Sequence, residues 1–277
     1  SYPFIALFCC SAGVMRALGY TKLSFHTSLT MNILNILMNG VFIFLLKWGV
    51  FGAGLASLLS RMIVSLLLFS MLFRKQDMLK LAPPLTWRLN KKTSSAILSL
   101  AVPTSLESSI FYIGRLLVQS VVTGFGTSAI AANAVSLTVT EFLHMPGAGI
   151  GIGMITIVGR CIGADEKKQA RENASYLIRL TYILQGICCI ASMILAPQIL
   201  GLYNLTPQTL EIGVVMLVSH GVICGIFWPM GFTTANALKS AGDVKFTMTI
   251  STASMWLCRV GGSYLLVRLF PALGVYN

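Results

Sequence analysis

Charge is what this sequence has least of. Only 10% of its 277 residues are Asp, Glu, Lys or Arg, where a soluble domain usually carries about 25%. A chain so poor in charge cannot clothe a globular surface in water-binding groups. No G-x-x-x-x-G-K-[ST], H-E-x-x-H or G-x-S-x-G occurs. The phosphate cradle, the zinc-protease helix and the serine nucleophile elbow are therefore missing, and an enzyme built on any of them is excluded. The seven cysteines lie almost all inside apolar runs without metal-ligand spacing, so they read as small packing residues rather than a disulfide framework. The chain opens SYPFIALFCC with neither Met nor a charged n-region. A signal peptide is not expected, and the natural start is expected to lie upstream.

What the sequence does have is apolar length. The hydrophobic set makes up 56% of the chain and the mean hydropathy is +0.81. Uncharged stretches, mostly long enough to span a hydrocarbon core as helix, alternate with short charged clusters. Bounding them by charge and turn residues gives about eight transmembrane helices, roughly 2–18, 24–46, 50–73, 94–122, 128–159, 174–200, 209–237 and 246–269. In the fifth, Pro146 followed by GAGIGIG offers a place for a long helix to break. The expected class is an all-α membrane protein, a polytopic helical bundle with the lipid bilayer as its solvent.

The formal net charge of +12 would suit nucleic acid, but its placement follows the connections. One alternate set holds Arg16, Lys22, Arg74, Lys75, Lys80, Arg88, Lys91, Lys92, Arg160, Lys167, Lys168, Arg171, Lys239 and Lys245; the opposite set holds Lys47 and Arg268. Fourteen against two makes the first set cytoplasmic by the positive-inside rule, and no nucleic-acid partner is needed to explain the charge. The longest connection, RKQDMLKLAPPLTWRLNKK, is basic and amphipathic enough to lie along the inner membrane surface. It divides three spans from five, giving residues 1–75, a linker at 76–93, and residues 94–277.

A repeat is visible across that division. RALGYTK at 16–22 and KSAGDVK at 239–245 share Arg/Lys, Gly and Lys at a constant offset, each closing a span on the basic side. The match returns with one gap as FGAG at 51–54 against LGVY at 273–276. Two related halves are a transporter's architecture. The stretch MPGAGIGIGMITIVGRCIGADEKKQAREN resembles a helix and following loop of multidrug and toxic compound extrusion (MATE) transporters. RALGYTK, GVFGAGLASLLSR, AVPTSLESSIFYIGR and MWLCRVGGSYLL are similar to successive family segments in the same order. The resemblance covers essentially the whole chain. It implies a two-lobed MATE-like transporter fold, incomplete, with helices four to eleven of twelve present. Residues 1–75 would be the last three helices of the N-terminal lobe, and 94–277 the C-terminal lobe without its last helix.

Only Glu107 and Glu141 are acids deep within spans. With a helix starting near residue 94, Glu107 falls about 20 Å in, near the midplane. A charge there is costly, so it should face the bundle interior with a partner or water. In the functional reading Glu107 binds a proton or Na⁺ in one conformation and a cationic substrate in another. In the structural reading it is a permanent ion pair. Arg259 is the better expected partner, because Arg115 is about 12 Å along the same helix and turned away. The resemblance suggests a coupling carboxylate in this helix by role, although the spacing from Pro103 differs from that in some family branches. Glu141 and His144 form one E-x-x-H without a second copy, so a local Glu–His hydrogen bond is expected and no metal. Ser28, Asn32, Asn35 and Asn39 lie on one helix face and should meet a neighbouring helix or a wet cavity. Family members often carry Asp at the position of Asn39, and an amide cannot relay protons. Trp228, with Phe227 and Met230 beside Pro229, would make either a soft wall for greasy cations or ordinary packing.

These readings converge on a secondary active antiporter in the plasma membrane. It is expected to be a monomer that exports a small-molecule cationic substrate in exchange for H⁺ or Na⁺ by alternating access, without a bound cofactor. A related flippase for lipid-linked saccharides is the alternative, and an ion channel is the alternative from another class.

Overall fold

The computed structural model describes residues 1–74 and 90–269. The chain divides into two compact units, residues 1–88 and 89–277, each taken by itself below. Of the linker expected at 76–93, residues 76–89 lie outside the described residues, and 90–93 form the cap and first residues of the next helix. The repeat partner LGVY at 273–276 also lies outside the described residues.

The first unit holds α1 (Tyr2–Ala17), α2 (Thr21–Asn39), which runs on as a π-helical turn at Gly40–Leu45, and α3 (Gly49–Arg74). Ala12 and Met15 of α1 pack on Leu68 and Leu72 of α3. Buried Ser11 and Ala56 belong to the same two helices. Small residues at such contacts let backbones approach, which matters where lipid supplies no hydrophobic drive between helices. Phe44, Leu45, Val50 and Phe51 stay exposed, as apolar groups in contact with acyl chains are free to do.

The second unit is built from α4 (Lys91–Thr123), α5 (Thr127–Gly163), α6 (Lys167–Ile194), α7 (Ala196–Gly201), α8 (Pro207–Trp228), α9 (Thr234–Ser240), α10 (Val244–Ser254) and α11 (Gly262–Leu269). π-helical turns at Pro229–Thr233 and Met255–Gly261 join α8 to α9 and α10 to α11. The α8 face turned inward is Thr209, Gly213, Leu217, Gly221 and Cys224, a stripe at three- and four-residue spacing that is mostly small. Leu217 meets Val139, Leu143, Ala196 and Leu200 in the main core.

Among the described residues, six stretches are long and apolar enough to cross a membrane: Thr21–Leu45, Gly49–Leu72, Lys91–Thr123, Thr127–Gly163, Lys167–Ile194 and Pro207–Ser240. The chain is a multi-pass membrane protein, all-α among the described residues. The sequence count of eight included α1, which is shorter, and 244–269, which a π turn divides. Pro146 does not end its helix, and α5 stays helical for 37 residues. The local break comes instead at Pro229, where one wide turn absorbs the missing N–H. α4 begins at Lys91, three residues before the expected start, because the Asn90 side chain accepts the Lys92 N–H and caps it.

The two turns of the sequence repeat have the same backbone. Gly19 has φ +90° and Gly242 φ +89°. Tyr20 N donates to Met15 O at 2.9 Å and Asp243 N to Leu238 O at 3.1 Å; Gly19 N donates to Arg16 O at 3.0 Å and Gly242 N to Lys239 O at 3.1 Å. This is a helix C-cap in which the glycine takes the left-handed position. A third copy closes α5: Glu166 N donates to Cys161 O at 2.9 Å and Asp165 N to Ile162 O at 3.0 Å. There Asp165, at φ 59°, stands where the others have glycine.

Candidate functional site

Glu107 does not pair with either arginine considered from the sequence. Its Oε2 lies 2.8 Å from Nζ of Lys239, with only 12% of the Glu107 side chain and 22% of the Lys239 side chain exposed. The same oxygen has no aligned hydrogen bond, so the contact is a close ion pair rather than a well-directed donor–acceptor bond. Lys239 lies in the last turn of α9, just before the Gly242 turn. The sequence assigned it to a connection, but a lysine's long stem lets its ammonium reach back into the bundle.

Glu107 is the central residue of α4, with sixteen residues of the helix on either side. Lys239 meets it from the last turn of α9 along its long side chain.

A second pair lies two turns further along α4. Arg115 Nη2 donates to Glu141 Oε1 at 3.1 Å, with the side chains 37% and 59% exposed. This replaces the expected Glu141–His144 hydrogen bond, because the guanidinium is the stronger partner for a carboxylate. Arg259, expected to meet Glu107, places its Cζ 5.6 Å from the centroid of Phe111. It is exposed on the π turn after α10.

His144 turns toward α8. Its ring stacks on Trp228 at 5.1 Å and 9°, and its centroid is 5.6 Å from that of His220. Phe232 stacks on Trp228 at 4.6 Å. Phe227 and Met230 are exposed, so the FWPMG segment sends the indole inward and its neighbours outward. Trp228 is engaged in a ring stack rather than standing open as a wall. Gly147, one turn from His144, makes room for the indole: a Cβ there would overlap Trp228 Cζ3 and stand 3.0 Å from Gln185 Oε1. Gln185 is fully buried and donates from Nε2 to Cys224 Sγ at 3.2 Å.

The asparagine face of α2 divides. Asn35 Nδ2 reaches Ser60 Oγ at 3.3 Å and Ser57 Oγ at 3.4 Å on α3, and Asn39 Nδ2 donates to Asn35 Oδ1 at 3.0 Å. Asn35 thus joins α2 to α3, and Asn39 holds it from within α2. Asn32 is exposed. Arg61 donates to Ser1 Oγ at 3.2 Å.

Sequence reasoning missed Lys239 as a partner, read Cys224 only as a small packing residue, and missed His220 and Gln185 altogether. The four-residue spacing of His220 and Cys224 was the available signal. Their relation to His144 was not visible, because 76 residues separate His144 from His220.

The MatE family model matches residues 103–265. Among curated proteins, the chain is 24% identical over 258 residues to the "Uncharacterized transporter YisQ" of Bacillus subtilis (strain 168), covering 91% of this chain and 56% of that one. It is 26% identical over 270 residues to the "Probable multidrug resistance protein NorM" of Thermotoga maritima, covering 94% and 56%. Among solved structures, the "Outward-facing conformation of a multidrug resistance MATE family transporter of the MOP superfamily" superposes with a TM-score of 0.85 at 21% identity, covering 93% of this chain and 58% of that one. The fold is thus that of MATE transporters. The chain spans 56% of the length of these curated relatives.

Proposed function

The chain belongs to the MatE family, and on that premise we propose that the whole protein is a secondary antiporter of the plasma membrane. It exports organic cations or drugs in exchange for H⁺ or Na⁺ by alternating access, with the basic connections on the cytoplasmic side. Transport, not catalysis, is its activity. The names of its relatives support the substrate class, and the fourteen-to-two distribution of basic residues supports the orientation.

The observation that carries this reading is the Glu107–Lys239 contact. A carboxylate in a poorly solvated bundle must be balanced by a cation, a proton or water. Lys239 provides the balance from a flexible stem, and its bond is not aligned. A proton, Na⁺ or the amine of a substrate can take the same place, and each exchange frees or recruits Lys239. That makes a switch between α4 and α9. Arg115, Glu141 and Arg259 lie on the substrate path in this reading, with Trp228 and His144 positioning one another beside it. In the first unit Asn32 is exposed, while Asn35 joins α2 to α3 and Asn39 holds the Asn35 amide. A flippase for lipid-linked saccharides fits less well, because Arg115 and Lys239 are each neutralised by a glutamate and a diphosphate needs free positive charge.

The test is uptake by the full-length protein in liposomes. A fluorescent organic cation should move against an imposed H⁺ or Na⁺ gradient, and Glu107→Gln should uncouple it. Movement that ignores both gradients would indicate a channel and overturn the antiporter. Coupling that survives Glu107→Gln would remove the carboxylate from the mechanism.

A further inference from the structure

His144 of α5 and His220 and Cys224 of α8 come together although no sequence motif links them. Their ligating atoms lie within 4.8 Å of one another. Cys224 is 3% exposed, and Nε2 of each histidine is buried without a hydrogen-bond partner. Two orphaned imidazole nitrogens beside a thiol are an expensive arrangement for an empty apolar bundle. The group that satisfies all three at once is a metal ion. We propose that His144, His220 and Cys224 bind one thiophilic transition-metal ion, Zn²⁺ or Cu⁺, which ties α5 to α8.

The donor set selects the class of ion. Two imidazoles and a thiolate suit Zn²⁺ and Cu⁺, whereas Mg²⁺ and Ca²⁺ require oxygen. Metal–ligand bonds of about 2.0–2.3 Å place tetrahedral ligand atoms roughly 3.3–3.8 Å apart. The side chains therefore close by about 1 Å, within reach of rotamer adjustment. His220 and Cys224 are four residues apart and share one helix face.

The surroundings are those of a prepared site. The parallel stack on Trp228 fixes the plane of the His144 ring. The Gln185 amide donates to the Cys224 sulfur, as outer-shell donors do for ligating thiolates. Glu141, three residues before His144, is held by Arg115. On binding, the Cys224 thiol would lose its proton to solvent, and the two imidazoles and the thiolate would be the three protein ligands. This inference does not depend on the transport reading.

The experiment titrates the full chain, in metal-free lipid nanodiscs under reducing conditions, with Co²⁺ as the optical probe. One equivalent per chain should give the near-ultraviolet thiolate-to-cobalt charge-transfer band, and Zn²⁺ should displace it. Cys224→Ser should abolish the band. His144→Ala and His220→Ala should weaken binding at least about 100-fold, and Gln185→Leu about 10–100-fold. Cys10→Ser, an exposed thiol of α1, should change nothing. Competition with a Cu⁺ chelator then separates Cu⁺ from Zn²⁺. No band in the unmodified chain, or a band retained in Cys224→Ser, overturns the site. If a histidine variant fails to fold, those two measurements decide alone.

Discussion

Lys239 Nζ stands 2.8 Å from Glu107 Oε2 and joins the last turn of α9 to the interior of α4. Removing either partner strands the other in a medium that solvates charge poorly, so each single change should cost stability. Removing both should cost less than the sum, because neither charge is then left alone.

The first prediction is therefore a double-mutant cycle. Glu107→Gln and Lys239→Met should each lower the unfolding free energy in detergent, and the double variant should recover about 0.5–3 kcal/mol of coupling. Additive effects would mean that the two groups do not interact in solution, and the switch built on them would fail with that result.

The asparagine stripe of α2 gives a second, graded prediction. Asn35 bridges to Ser57 and Ser60, whereas Asn32 is exposed. Asn35→Ala should destabilise by about 0.6 kcal/mol, the usual size of a hydrogen bond between membrane helices. Asn32→Ala should leave the unfolding midpoint where it is. Equal losses at both positions would show that the whole stripe packs against protein.

These two cases mark how far the sequence could be read. Apolar length and the placement of charge give the all-α bundle and nearly every helix, because both are local properties. The repeat at 16–22 and 239–245 is legible for the same reason: glycine at the left-handed position leaves a mark in the letters. Partners are another matter. Arg259 looked better placed for Glu107 than Arg115, Lys239 was assigned to a connection, and Glu141 seemed to belong to His144, because helix counting gives depth along one axis but not which neighbour is adjacent. The convergence of His144 with His220 and Cys224 depends on how α5 crosses α8, and no local pattern encodes a crossing.

The three C-cap turns supply a third prediction. Gly19 and Gly242 sit at φ near 90° with open space where a side chain would go, so the cost of a Cβ there is conformational rather than steric. Gly242→Ala should destabilise by roughly 1–2 kcal/mol. At Asp165, φ 59° is held by a residue that tolerates it only in part, and Asp165→Gly should be neutral or stabilising by up to about 1 kcal/mol. Thermal unfolding of both variants checks the pair. A stabilising Gly242→Ala would mean that the turn is not left-handed in the membrane.

Two glycines at helix contacts provide the last prediction, since they differ only in what faces them. A Cβ on Gly147 would overlap the Trp228 ring, which is stacked on both His144 and Phe232. That ring is rigid and cannot swing aside without breaking a stack. A Cβ on Gly114 would meet the Met255 side chain, with Cε at 2.5 Å and Cγ at 2.9 Å, and a thioether with three rotatable bonds can move away. Gly147→Ala should therefore cost about 1–3 kcal/mol, in the range of overpacked cores, and should alter indole fluorescence. Gly114→Ala should cost less than Gly147→Ala and leave the emission unchanged. If Gly114→Ala proves the more damaging, the α5–α8 contact is looser than the stack implies, and Trp228 is free to move.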